Sequence, residues 1–264
     1  MFKQPISRIL LIMLLSILTS CTTPSSPLNQ YHAARPTDRR AFALTGIRHQ
    51  ALRDAALSTG ARAGLAWRAK QINQIVAKHE KQLDLIFNFN AMLLDHNVLP
   101  PVLIEGRQTL EQSSDDIIRI ADRSYSIQSQ ARFVTMAPTW RDYLALNYSS
   151  PDLPDSSLLP RNQSEKEVWN RYIDEGWQAG ISQADIIFSE SVGRLKRDYE
   201  GMIAYRTLLA QNMVSLPFVA QVNLGVTGGD SQMAINDRIL RITALPQFNT
   251  AANEWKAEAT PHLR

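Results

Sequence analysis

Cys21 is the only cysteine in 264 residues, and it closes the one long apolar run of the chain, Ile9 to Leu18. With no second thiol, no disulfide can form within the chain, so whatever folds must be held by packing alone. The run is also too short to span a bilayer, which takes roughly 20 apolar residues. Two positive charges, Lys3 and Arg8, precede it, and the small residues Thr19 and Ser20 lead directly into Cys21.

That order of parts resembles the bacterial lipoprotein signal, in which a cysteine at the end of the lipobox is acylated before cleavage. On this reading residues 1–20 are a processing signal and Cys21 becomes the acylated first residue of the mature protein. The alternative is an uncleaved anchor helix that ends in a chance cysteine. The short run, and the polar, Pro-rich sequence that starts at Thr22-Thr23-Pro24, argue against it. A multiply acylated cysteine is a firm anchor, where a single chain holds only marginally.

Charge excludes one class of function. The chain carries 28 basic and 25 acidic residues. Lys3 and Arg8 belong to the signal, so the mature protein is close to neutral. A nucleic-acid-binding role thereby loses its main electrostatic argument, and direct nucleic-acid binding is not expected.

Residues 21–44 read as a lipidated flexible linker, because prolines and small polar residues bury too little surface to offset the entropy of ordering. A helical block follows, with Ile47, Ala51 and Ala55 four apart and Gly60 placed as a C-terminal cap. Leu65, Ile72, Val76, His79, Leu83, Ile86, Phe87, Asn90 and Leu94 then mark one face of a long amphipathic helix, which Pro100-Pro101 must follow rather than continue. Val102-Leu103-Ile104 predicts a short strand closed by Glu105 and Gly106. Ile117 to Ile127 alternates apolar and polar residues as a half-buried strand does, and Ala131–Met136 is placed to pair with it. Thr139-Trp140-Arg141-Asp142 opens a short helix, and 148–164 is loop.

Ser164-Glu165-Lys166-Glu167 has the pattern of a capping box and opens a helical segment to about Asn212. Gly176 and Gly180 interrupt it, so the helix either breaks near Gly180 or lets another helix approach closely. The end of the chain predicts a three-stranded antiparallel meander: Phe218–Val226, Met233–Ile235 and Arg238–Thr243, with Gly228-Gly229-Asp230 and Asn236-Asp237 as turns. Leu216-Pro217-Phe218 to Val226 is the edge best suited to accept another chain's strand. The tail 247–264 is polar and irregular, or one short helix. The fold class is therefore α+β, mainly long helices with a small antiparallel sheet, in one domain over 45–246.

Chemistry is hard to find. No metalloprotease helix, nucleophile elbow, phosphate-binding loop or paired-cysteine motif occurs. The histidines at 32, 49, 79, 96 and 262 show no ligand spacing, and His79 reads as a packed helix residue. Asp115-Asp116 reads as a turn rather than an acid–base pair. The aromatic set Trp140, Tyr143, Trp169, Tyr172 and Trp177 reads first as core and second as a partner surface. No catalytic residue, metal or cofactor is expected. The rival from another class is a lipid-anchored periplasmic hydrolase of the cell wall, which would need a nucleophile or acid–base pair that the sequence does not display.

Several segments together carry a family resemblance. Gly64-Leu65-Ala66-Trp67-Arg68, Phe87-Asn88-Phe89-Asn90 and Val98-Leu99-Pro100-Pro101-Val102-Leu103 resemble the DotC family of type IVB secretion lipoproteins. So do Ala131-Arg132-Phe133, Pro138-Thr139-Trp140-Arg141-Asp142-Tyr143-Leu144 and Gly176-Trp177. The similarity runs from roughly residue 45 to 245. It implies a non-enzymatic outer-membrane lipoprotein in the core complex of a Dot/Icm-type machine, or of the related IncI-type conjugation systems. DotC-like proteins act with a DotD-like lipoprotein to bring DotH-like subunits to the outer membrane, in multiple copies in a ring. Thr22, where an inner-membrane lipoprotein of enteric-type bacteria carries aspartate, agrees with outer-membrane sorting. The resemblance supplies no catalytic residue, which leaves Cys21, the lipidation site, as the sole assigned site.

Overall fold

The computed structural model of the chain describes residues 26–35 and 46–256. The signal at 1–20, Cys21 and the last eight residues lie outside the described residues. Helices and strands occur in the expected mixture. Two compact units are distinguished: residues to Gln82 with Leu144–Val192, and Leu83–Tyr143 with the residues from Gly193 onward.

In the first unit, part of the stretch expected to be linker is built into the core. Helix α1 (Leu28–His32) buries Tyr31, which is 2% exposed, and Ala34 follows it into the same cluster. The Trp169 indole donates to the Tyr31 carbonyl at 2.9 Å, and His32 Nε2 meets Asp174 Oδ1 at 2.8 Å. The apolar side chain of Tyr31 supplies the burial that the surrounding prolines and small polar residues lack.

Helix α2 (Gly46–Lys78) runs unbroken for 33 residues. Gly60 therefore does not cap a helix, as the sequence suggested. It lies at the middle of α2, where a Cβ would collide with the Ile173 carbonyl. Its neighbour Gly64 lies against the carbonyl of Trp177. Ile47, placed by its spacing on the buried stripe, is 86% exposed.

Helix α5 (Gln163–Ala210), which packs on α2, is one continuous helix of 48 residues. Its residues to Val192 belong to the first unit and those from Gly193 to the second. Of the two sequence alternatives, close approach is the one realised: Gly176 lies on the Leu57 carbonyl and Gly180 on that of Ala61. Contacts advance together along both helices, from Leu57 with Gly176 to Ala61 with Gly180, so α2 and α5 run parallel. Four glycines, two per helix and spaced four apart, let the backbones touch. The N-cap is Asn162 rather than Ser164, since Asn162 Oδ1 accepts from the Glu165 amide at 2.8 Å.

An ion pair stands at each end of this seam. Arg48 holds Glu165 with two bonds, Nε to Oε1 at 2.6 Å and Nη2 to Oε2 at 2.8 Å. Glu165 is 1% exposed and also accepts from the Arg161 amide at 2.8 Å. The Arg48 hydrogen bond is the main cause that holds the Glu165 carboxyl below its usual range, and burial opposes it. Towards the other end, Arg68 Nε donates to Asp185 Oδ1 at 2.7 Å.

The second unit is built differently. Helix α3 (Glu80–Ile86) follows a break at His79, and the chain then leaves the helical path. Phe87, Asn90 and Leu94 are thus not on the long amphipathic helix that their spacing predicts. Phe87 and Phe89 are instead drawn edge-on to Tyr199 at 5.3 and 5.1 Å, and Phe89 stacks on Tyr143 at 5.8 Å. Asn88 starts a 3-10 turn by accepting from the Ala91 amide at 3.3 Å. Aromatic packing overrides a helical period that the sequence carries through.

Among the described residues the strands form three separate two-stranded antiparallel sheets. Strand β1 (Val98–Leu99) pairs with β4 (Arg132–Phe133), so the Ala131–Met136 segment does not join its neighbour in sequence as expected. Strands β2 (Val102–Ser114) and β3 (Ile117–Ser129) form a long hairpin turning at Asp115-Asp116. β2 continues well past Gly106, where the apolar signal ends. Strands β5 (Phe218–Gly229) and β6 (Gln232–Ala244) form a second hairpin. The meander is two-stranded, not three-stranded. Asn236-Asp237, read as a turn, is a bulge, with Asn236 at φ 58° and Gly225 at φ 80° across from it. Thr227 Oγ1 donates to Asp237 Oδ2 at 2.6 Å and pins it. Helix α4 (Trp140–Leu144) starts as predicted, with Asp142 Oδ2 accepting from the Thr139 amide at 2.6 Å. One 3-10 turn, Ala252–Glu254, is the short helix of the tail.

Two predictions follow from the seam. Gly64→Ala and Gly180→Ala should each lower stability by about 1–3 kcal/mol, the usual cost of overpacking. Gly193→Ala on the same α5, with nothing within 4 Å of its added Cβ, should raise stability by up to about 1 kcal/mol through helix propensity. Melting of the three variants followed by circular dichroism checks the contrast. Because Glu165 titrates low in the fold, its contribution is complete above the ordinary glutamate value of 4.5 and is lost as pH falls below it. Arg48→Met should cost about 3 kcal/mol at neutral pH by stranding a buried carboxylate. Its melting temperature should then fall less steeply than that of the parent between pH 5 and the acid limit of folding.

Candidate interaction surface

Cys21, the site that the sequence assigns, lies outside the described residues. Among the described residues no three His, Cys, Asp or Glu side chains are grouped to hold a metal ion. His32 and His79 are engaged with Asp174 and with Gln82, the latter at 3.1 Å, and His96 occupies a tight turn at φ 61°. Of the aromatic set, Trp140, Trp169 and Trp177 are buried in the core, while Tyr143 and Tyr172 are half-buried. The Tyr143 hydroxyl is pushed up to about 12, first by burial and then by Asp198, whose Oδ2 it reaches at 3.2 Å. Trp140 and Arg141 both donate to Asp84, at 2.7 and 2.8 Å. These groups tie α3 to α4 and orient one another.

The two long hairpins are the unusual feature of the second unit. The β2–β3 hairpin is rooted at one end. Val102 and Leu103 are each 3% exposed, Leu103 clusters with Tyr205, Leu208 and Val214, and Gly201 of α5 lies directly on the β2 backbone. Beyond Glu105 the ribbon is exposed. Leu110 lies directly opposite Ile120, and Ile118 opposite Gln112, which places Leu110, Ile118 and Ile120 on one face. Leu110 is 64% and Ile120 70% exposed. The other face carries Thr109, Glu111, Arg119 and Ala121, with Glu111 opposite Arg119. Arg107 and Arg123, a like-charged cross-strand pair, are both approached by Glu105 Oε1, at 3.1 and 4.0 Å. At the tip, the Ser114 hydroxyl on Asp116 holds that carboxyl below its usual range.

The β5–β6 hairpin is rooted by its flanks. Val214 bridges to Phe248, the Ser215 amide donates to the Gln247 carbonyl at 2.9 Å, and the Tyr205 hydroxyl donates to the Ser215 carbonyl at 3.0 Å. Outward from there, Val222 faces Ile239 and Val226 faces Ile235, and all four are more than half exposed, as are Phe218 and Met233. An isolated two-stranded ribbon is marginal in water. Two of them, each presenting apolar side chains to solvent, form the kind of surface that another molecule covers.

Sequence reasoning found the start of this surface, Leu216 to Val226, and missed its extent. The signal was nonetheless present: Thr109-Leu110-Glu111 and Ile118-Arg119-Ile120 alternate symmetrically about Asp115-Asp116.

Residues 46–257 match the model of a protein family described as type IV secretory system, conjugal DNA-protein transfer. Comparison with curated proteins gives no match.

Leu110→Ser and Ile120→Ser should change stability by less than about 0.5 kcal/mol, because the side chains cover nothing in the chain. Leu103→Ala, at the root of the same hairpin, should cost about 2–5 kcal/mol. Chemical denaturation of the three variants measures the difference.

Proposed function

The chain belongs to the family of type IV secretory systems for conjugal DNA-protein transfer, and from that premise we propose that it is a non-enzymatic scaffold subunit of the transfer machine's outer-membrane core complex. The acyl chains on Cys21 hold it at the periplasmic face of the outer membrane. The hairpins then present the contacts by which DotD-like and DotH-like subunits are brought to that membrane, in several copies around the export path. The cargo is conjugative DNA or an effector protein. The observation that carries this reading is the pair of rooted, apolar, solvent-exposed hairpins: a surface built for lateral contact, in a unit whose polar clusters are consumed in holding the fold. Confinement to one membrane face raises the effective concentration of such weak contacts, and that is what the lipid contributes.

The Cys21→Ala variant tests it. Fractionation should move the protein from the outer membrane to the soluble periplasm. Pulldown of the two partner subunits from intact membranes should fall by about 100-fold or more, the scale of a lost effective concentration, and transfer of cargo should fall to background. If Cys21→Ala fractionates with the outer membrane and transfer persists, the anchored-scaffold reading is wrong. Cell-wall hydrolysis by the unlipidated chain, lost on replacing one polar side chain, would favour an enzyme instead.

A further inference from the structure

We propose that two copies of this chain pair through the outer edge of β5, strand against strand and antiparallel, over Val219–Asn223. The inference rests on the chemistry of that strand and not on the reading of the N-terminus.

Every long strand here has one free edge, because each belongs to a two-stranded sheet among the described residues. A free edge offers unpaired amides and carbonyls to any passing strand, and proteins that stay monomeric guard it with charges, prolines or bulges. Three of the four long strands are guarded. β2 carries Glu105, Arg107 and Glu111; β3 carries Arg119, Asp122 and Arg123; β6 carries Asp237, Arg238 and Arg241. β5 alone has no charged residue and no proline in its 12 residues. The bulge at Gly225 interrupts its ladder between Asn223 and Val226. A further register shift falls between Phe218 and Val219, so Val219 to Asn223 is the regular run at the centre of the open edge.

The occupant follows from charge and symmetry. A strand from β6, β2 or β3 would bring ionic side chains against an edge with none to match them. A second β5 brings an uncharged strand of equal length, and a two-fold axis makes the surface its own complement. The resulting four-stranded sheet, ordered β6-β5-β5-β6, keeps the arginines of β6 on its outer edges. It also sets the exposed Phe218 and Val222 beside apolar neighbours of the other copy. A two-stranded ribbon, marginal alone, becomes a sheet of ordinary width.

The chain itself supplies a simple background, since Cys21 is its only cysteine and any dimer through it shows in the parent as well. Five full-length variants are made in the native membrane: Val219→Cys, Ala220→Cys, Gln221→Cys, Val222→Cys and Asn223→Cys. Each is oxidised with copper–phenanthroline. Residues facing each other across an antiparallel pair lie about 4.5–5.5 Å apart at Cα, within disulfide reach. Only positions at the two-fold axis meet their own copy. One or two adjacent members of the series should therefore give a covalent dimer of the chain, with the others, the parent and Glu111→Cys on β2 giving none. Adding a lysine, the natural edge guard, as Ala220→Lys or Val222→Lys beside the reactive cysteine should abolish the dimer while the melting temperature holds. The proposal is overturned by any of three results: no dimer anywhere in the series, equal dimer at all five positions, as random collision gives, or a product joining the chain to a different protein. A scaffold that pairs by another surface would still lose transfer in the Cys21→Ala variant, so the two ideas fail separately.

Discussion

Four glycines determine how the first unit is put together. Two parallel helices can bring their backbones into contact only where no Cβ intervenes, and Gly60, Gly64, Gly176 and Gly180 each rest on a carbonyl of the facing helix. Such an approach multiplies small dispersion contacts that a normal helix spacing forfeits. It carries a cost, since parallel helices align their dipoles and glycine weakens helices. The Arg48–Glu165 and Arg68–Asp185 pairs, one towards each end, offset it and fix the register. Glu165 has a second role in the first turn of α5, where a carboxylate suits the positive end of the helix. Around this seam the large residues Trp169, Ile173, Trp177 and Leu52 fill in, and Tyr31 closes the cluster from the N-terminal side.

How much of this the sequence discloses depends on whether the relevant force is local. The α5 helix, the α4 start and the alternation of β3 are local and legible. So is the presence of a special role for Gly176 and Gly180, because a glycine pair in a helical period demands a reason. Gly60 misleads because a terminal cap and a close approach ask for the same residue. Its true reason, the Ile173 carbonyl, stands 113 residues away in the chain. The same logic explains the false continuation of helix to Leu94. Phe87 and Leu94 keep the period, while the competing claim on Phe87 and Phe89 comes from Tyr143 and Tyr199, which no local pattern reveals.

The hairpins show the reverse difficulty. The outer half of β2 carries only the short alternation Thr109-Leu110-Glu111, and its side chains are mostly exposed, so little in the sequence extends that strand past Gly106. β2 past Gly106 is held by its pairing with β3 rather than by burial, and β6 passes through Asn236 with a positive φ that reads in sequence as a turn. A surface whose partner is another molecule has no partner in its own chain to leave a pattern.

That division follows the chemistry of the chain. With no disulfide to rely on, the packing residues are spent on roots: Leu103, Tyr205 and Leu208 beneath one hairpin, and Val214 with Phe248 at the base of the other. Charge is spent on edges, guarding β2, β3 and β6. What is left uncommitted among the described residues is a strand without charge and an apolar face at Leu110 and Ile120. Here the exposed apolar side chains lie along extended ribbons whose outer backbone edges are open, and burial against a further surface is what such groups gain most from.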